Sequence, residues 1–221
     1  MRRRPKRRLE HDPSPGDAAT STERPPSPIS QADELLKQDR FSEALALLEA
    51  AVAAAPTDAT TLFATGLVHR DFGEPQRAVD LLLEATRLRP AQPDLLAALA
   101  VAYYRLKQPA LAKHTAHRVL SMDPTHVEAL SMLGAVHYAE GRNDEGIALL
   151  NDALHQVRNP APLHWWLGTL HRATQHLDAS EAHFREALRL EPDNPVPHFD
   201  LSLLLLSRGD FEAGWREFSH R

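Results

Sequence analysis

Small residues in this chain fall on a fixed grid. Ala32, Gly66, Ala100, Gly134, Gly168 and Ser202 lie 34 residues apart, and twelve positions further on a second column reads Ala44, Ala78, Ala112, Gly146, Ser180 and Gly214. A third column reads Ala51, Ala85, Val119, Ala153 and Ala187. Large side chains occupy the columns between them. One is Thr65, Leu99, Leu133, Leu167 and Leu201; another is Leu48, Leu82, Ala116, Leu150, Phe184 and Phe218. A further column, Leu62, Leu96 and Leu130, continues as His164 and His198. Small residues let two helix axes cross closely, and large ones fill the space between paired helices. A period of 34 predicts stacked helix-turn-helix units. Pro56, Pro90, Pro124 and Pro192 keep the same spacing and end the units; at position 158 the column holds Arg158, with Pro160 and Pro162 beside it.

Each unit therefore reads as two helices of about three to four turns joined by a short loop. The loops are Phe72-Gly73-Glu74-Pro75, Gln108-Pro109, Glu140-Gly141-Arg142-Asn143 and Arg208-Gly209-Asp210. Pro75 and Pro109 sit in the first turn of a second helix, where a missing N–H costs nothing. Asp58, Asp123 and Asp193 are placed to cap the following helix or favour its dipole. No stretch alternates at the strand period, so the expected fold is all-α.

On these columns the chain resembles the tetratricopeptide repeat family. The unit Ala59–Gln92 carries Leu62, Gly66, Ala78, Leu82, Ala85 and Pro90 at the positions the family favours, and the resemblance covers roughly residues 25–221. It implies a right-handed superhelical solenoid with units at 25–58, 59–92, 93–126, 127–160 and 161–194, and a truncated sixth at 195–221. Residues 1–28 then form a basic, proline-rich tail and 29–221 the solenoid. The family's tyrosine column reads Leu35, His69, Tyr103, His137, His171 and Leu205.

Composition narrows the chemistry. The chain is 43% hydrophobic but only 6% aromatic, as expected of an Ala/Leu-rich helical array. It has no cysteine, which excludes disulfides, thiolate metal sites, cysteine nucleophiles and a lipidated N-terminal cysteine. The bias toward alanine, histidine and arginine over lysine points to a GC-rich bacterial source.

Tail and body differ in charge. Residues 1–30 hold 7 basic and 4 acidic groups (+3), and the rest hold 18 and 26 (−8), which together give the net −5. Arg2–Arg8 is followed by polar and proline-rich sequence with little to bury, so disorder is expected to about Ser27. A basic tail could touch nucleic acid or anionic lipid weakly, or fold back on the acidic body. The reading adopted is a solvated tail with no specific role. No apolar run follows the arginines, so the start is not read as an export signal, and no segment is long enough to span a membrane. A cytoplasmic location is the default expectation.

The 13 histidines are conspicuous. His69, His137 and His171 share one column and His164 and His198 another, a pattern expected of flat rings packed between helices rather than metal ligands. His114 and His117 form an i, i+3 pair without a third ligand nearby in sequence. No zinc, phosphate-loop or nucleophile-turn motif is present. No catalytic residue, metal or cofactor is expected, and the chain reads as a non-enzyme.

In the resembled family the first helix of each unit lines a concave groove that receives a protein or peptide. By that resemblance the candidate contacts are Phe63, Leu67 and Arg70 in unit two, and Val101 and Tyr104 in unit three. Unit four adds Ser131 and Tyr138, unit five Trp165, Thr169 and Arg172, and unit six Phe199. Aromatic and arginine side chains are the commonest binding hot spots. Of Trp165 and Trp166, about 100° apart on one helix, at least one is expected in the groove and the other against a helix. A chaperone-tail clamp is not expected, because Phe63, Leu67, Ala97 and Val101 replace its Lys and Asn. An asparagine ladder is not expected either, because its positions hold Ala64, Ala98, Met132, Trp166 and Asp200.

Gly209–Phe218 resembles a segment that closes repeat arrays preceding glycosyltransferase-like domains. Two functions follow: an interaction scaffold, or a repeat module associated with or split from a bacterial glycosyltransferase. The scaffold is preferred because no nucleotide-sugar fold follows in this sequence. Self-association through Phe211, Trp215 and Phe218 is a further expectation, since a solenoid end without a polar cap exposes apolar surface.

Overall fold

The computed structural model describes residues 26–220, so the sequence reading of the tail lies outside it except at Pro26, Ser27 and Pro28. These residues form twelve α-helices and no strand. They pair as hairpins: α1 (Pro28–Lys37) with α2 (Phe41–Ala54), α3 (Ala59–Phe72) with α4 (Pro75–Leu88), and α5 (Pro93–Arg105) with α6 (Pro109–Met122). The second half repeats the scheme with α7 (Val127–Ala139) and α8 (Asn143–Leu154), α9 (Ala161–Ala173) and α10 (Leu177–Leu190), and α11 (Pro195–Ser207) and α12 (Phe211–Phe218). The all-α repeat array read from the 34-residue grid is the observed architecture.

The grid's small residues stand where helices cross. Ala44, Ala78, Ala112 and Ser180 are fully buried. A Cβ on Gly66 would meet Leu82 Cγ at 2.8 Å, and one on Gly168 would meet the Phe184 ring at 2.6 Å. Large columns supply the opposing knobs: Leu48, Leu82, Leu150 and Phe184 are 1% exposed or less. Each core cluster draws on more than one unit, as in Leu130, Leu150, Leu163 and Leu167, so the core is one continuous seam.

The turn inside each hairpin obeys the same period. Asp39, Lys107, Gly141, Gln175 and Gly209 all adopt left-handed backbone, with φ between 58° and 84°. At the equivalent Gly73, φ is −120° and Pro75 opens the next helix instead. Three of the five left-handed sites thus carry a side chain where glycine would relieve strain.

Capping differs in part from the sequence expectation. Asp58 does cap α3, accepting from the Thr60 and Thr61 N–H groups. Asp123 instead ends α6 and binds Thr125, while His126 precedes α7. Asn194 rather than Asp193 caps α11, accepting from Val196 N. An Asn in extended backbone one residue before Pro195 reaches the helix N–H groups, which Asp193 is too early in the chain to do. Asp58→Ala is therefore expected to cost about 1 kcal/mol in urea unfolding, and Asp193→Ala less than about 0.5 kcal/mol.

Hairpins are also joined by charge. Glu49 of α2 accepts from Arg77 of α4 at 2.9 and 3.0 Å and pairs with His69 Nε2 at 2.7 Å. The Arg77 hydrogen bonds, aided by His69, hold the Glu49 carboxyl down to about 2. No helix among the described residues is long and apolar enough to cross a membrane.

Candidate partner-binding groove

The first helices of successive units, α3, α5, α7 and α9, touch one another as well as their own partners. That closer spacing makes them the inner layer of the curve. Arg70 of α3 demonstrates the curvature: its guanidinium reaches over α5 to Glu128 of α7, 58 residues away, at 3.0 Å. A single side chain can span two units only across a concave face.

By exposure the sequence candidates divide into three kinds. Tyr138 and Phe199 are exposed, at 44% and 39%, and Leu203 of the same face joins them at 40%. Phe63, Leu67, Val101, Tyr104 and Trp165 are half-buried. The Tyr104 hydroxyl donates to the Ala135 carbonyl at 3.4 Å, and burial raises its pKa. Ser131 is half-buried, with an oxygen that makes no hydrogen bond among the described residues. Thr169 offers no surface to a ligand: it is buried at 6%, and its hydroxyl donates back to the Trp165 carbonyl.

The two groove arginines are engaged within the chain. Arg70, with a side chain 14% exposed, pairs with Asp71 at 2.9 Å and with Glu128. Arg172 pairs with Asp200 at 3.2 Å and lies 5.9 Å from the centre of the Phe184 ring. Asp200 also accepts from Trp165 Nε1 at 2.8 Å. Asp200 therefore ties unit five to unit six, a role its grid position alone did not disclose. The signal that finds it is diagonal, one unit plus one residue on from Trp165.

The tryptophans share the work. Trp166 packs against the core between units four and five and lies 6.5 Å from the Tyr138 ring. Trp165, with its ring centre 4.6 Å from that of Trp166, lines a cleft of about 240 Å³ with Pro162, Val196 and Pro197. An aromatic run thus follows the inner layer from Tyr138 through both tryptophans toward Phe199. At the other end, Ile29, Asp33 and Leu36 of α1 join Phe63 and Leu67 around a second cleft of about 290 Å³. Sequence reasoning omitted these unit-one residues, although Ile29 and Asp33 stand 34 positions before Phe63 and Leu67.

The histidine columns take up structural positions. His69 and His137 are buried at 7%, and His171 stacks on His183 with ring centres 5.3 Å apart. His114 and His117 lie on the exposed face of α6. At the C-terminal end Phe211 and Trp215 are 64% and 58% exposed, while Phe218 is half-buried beside Trp215 and Phe199.

Similar proteins share this architecture. "Cellulose synthase operon protein C" of Pseudomonas fluorescens is 32% identical over 146 residues, covering 62% of this chain and 11% of that protein. "Anaphase-promoting complex subunit 7" of Arabidopsis thaliana is 30% identical over 132 residues, covering 58% of this chain and 24% of that protein. The chain thus spans between a tenth and a quarter of the length of these relatives. Among solved structures, a thermophilic tetratricopeptide repeat protein of Thermus thermophilus superposes with a TM-score of 0.71 at 20% identity, covering 81% of this chain and 97% of that one. Family models described as tetratricopeptide repeat match residues 29–93, 107–165 and 161–194, and together they take in well over half the sequence. With the period, the crossings and these matches in agreement, the chain belongs to the tetratricopeptide repeat family.

Proposed function

We propose that the chain is a non-catalytic scaffold that holds a segment of a partner protein against its inner layer. The observation that carries this reading is the set of large apolar side chains left exposed on first helices, Tyr138 of α7 and Phe199 and Leu203 of α11, together with the cleft that Trp165 lines. Large apolar side chains left open along one concave face are what a partner's apolar side chains can cover. The arginines serve a different end: held by Asp71, Glu128 and Asp200, they fix the wall that the partner meets. The family's general role in protein interaction supports the reading, as does likeness to a protein named as a subunit of a complex.

A combined Tyr138→Ala, Phe199→Glu and Leu203→Glu variant is the test. All three positions are exposed, so helix content and melting temperature are expected to stay near wild type. Affinity capture from the native cell extract should bring down a partner with wild type that the variant loses. The same partner captured equally by a folded variant would move the contact off this face.

A second reading places the array beside a sugar-transferring enzyme. It is favoured by the likeness to a protein whose name refers to a cellulose synthase operon. Capture of a glycosyltransferase by the wild type would select it.

A further inference from the structure

The cleft at the N-terminal end of the groove has a composition that specifies its occupant. Ile29, Leu36, Phe63 and Leu67 form its walls and the fully buried Leu48 its floor. One carboxylate, Asp33, stands in this lining; it is exposed, and no hydrogen bond or ion pair engages it among the described residues. Neighbouring acids are mostly occupied: Glu34 holds Lys37, Glu43 holds Arg40, and Asp58 caps α3. Residues 26–58 carry six acidic and two basic groups, a net of −4, half of the −8 that residues 26–221 carry together. Asp33 feels Lys37 one turn on but makes no salt bridge with it, and an apolar hollow edged by such an anion in an acidic unit suits an aliphatic side chain flanked by cations.

The chain carries one such sequence close by. Arg2, Arg3, Arg4, Lys6, Arg7 and Arg8 run into Leu9, which is the single large apolar residue between Arg2 and Pro28. Eighteen residues, 10–27, separate Leu9 from α1. Fully extended, that length reaches about 60 Å, several times the length of α1. Tethering raises the effective concentration of the segment to about the millimolar range, enough to fill a contact whose ion pairs are individually weak.

We propose that Arg7-Arg8-Leu9 docks in this cleft of its own chain, with Leu9 on the apolar floor and the arginines beside Asp33. The docked segment covers Phe63 and Leu67 and leaves the aromatic end of the groove open. A partner reaching the first two units must displace it, so the tail acts as a competitor built into the scaffold. The inference takes the groove as a docking surface, as proposed above, but its test needs no partner, so the two can fail separately.

Because the chain has no cysteine, a single nitroxide can be attached at Ser14→Cys in the full chain. The methyl resonances of Ile29, Leu36 and Leu67 are then expected to broaden. That broadening should be lost with Leu9→Ser, with Asp33→Lys, and in high salt, while circular dichroism stays unchanged. No broadening, or broadening centred on α11 and α12, overturns the proposal. So does broadening that arises when spin-labelled chain is mixed with separate isotope-labelled chain, because the occupant is then a second copy.

Discussion

Phe184→Ala is expected to remove about 3–5 kcal/mol of unfolding free energy. The ring is fully buried and packs against Leu201, Leu204 and Leu205 of the next unit. It also occupies the space that Gly168 leaves, with ring atoms 2.6 Å from where a Cβ would stand. Truncation leaves a cavity that two crossing helices cannot close. The reverse change tests the same contact: Gly168→Ala overpacks it by about 1–3 kcal/mol, less the modest gain in helix propensity. Combining Gly168→Ala with Phe184→Leu should cost less than the sum of the two, because each change makes room for the other. In a quasi-linear array the loss is local, so units five and six should open before the rest. Urea unfolding followed by tryptophan fluorescence should then precede that followed by helix content, since Trp165, Trp166 and Trp215 all lie in those units. Coincident transitions with a loss below about 1 kcal/mol would contradict this account.

Acid is expected to weaken the same unit. His164 and His183 share a hydrogen bond between their Nδ1 atoms at 3.0 Å, and His171 stacks on His183 from the other side. One Nδ1 must donate and the other accept, so at most one ring of the pair can be protonated while the bond lasts; protonating both removes it. Burial, reinforced by His164 and His171, lowers His183 from its ordinary value to about 4. Burial likewise lowers His164 and His171. Around the cluster, Glu186 of α10 and Asp144 of α8 oppose these shifts, and Arg189 and His176 add to them. Below about pH 6.5 the unfolded chain takes up protons that the folded chain refuses, so stability falls as pH drops from there toward 4. For His183 alone the loss approaches about 2–3 kcal/mol at the acid end. Melting followed by tryptophan fluorescence at pH 7.5, 6 and 5 should show it, and His183→Leu should flatten the slope. A variant as acid-sensitive as wild type would assign the effect to other groups.

Much of this was legible in the sequence because it is periodic. Crossing points depend on residue size at fixed intervals, so Gly66, Ala78, Leu82 and Phe184 could be placed without coordinates. Pairing across units is not periodic in the same way. Arg70 and Arg172 read as open hot spots because a sequence does not show that Glu128 lies two units on but within reach, or that Asp200 answers both Trp165 and Arg172. Thr169 read as groove-lining from its helix face, but it is only 6% exposed and its hydroxyl is turned back to the Trp165 carbonyl. Caps were legible at Asp58 but misplaced by one residue at Asn194 and wrongly assigned at Asp123, since a cap depends on the backbone angle just before the helix.

The reach of Arg70 to Glu128 has a mechanical meaning. A chain of hairpins flexes like a coiled spring, and a strut across its inner side fixes the rest curvature of the coils it joins. Units two to four carry such a strut. Between units five and six the corresponding tie, Trp165 and Arg172 to Asp200, joins adjacent coils only. Salt screens the half-exposed strut over a Debye length of about 8 Å at physiological ionic strength and about 3 Å at 1 M. The Arg70 strut is therefore expected to weaken with rising salt more than the tie at Asp200, part of which is the uncharged Trp165 donor.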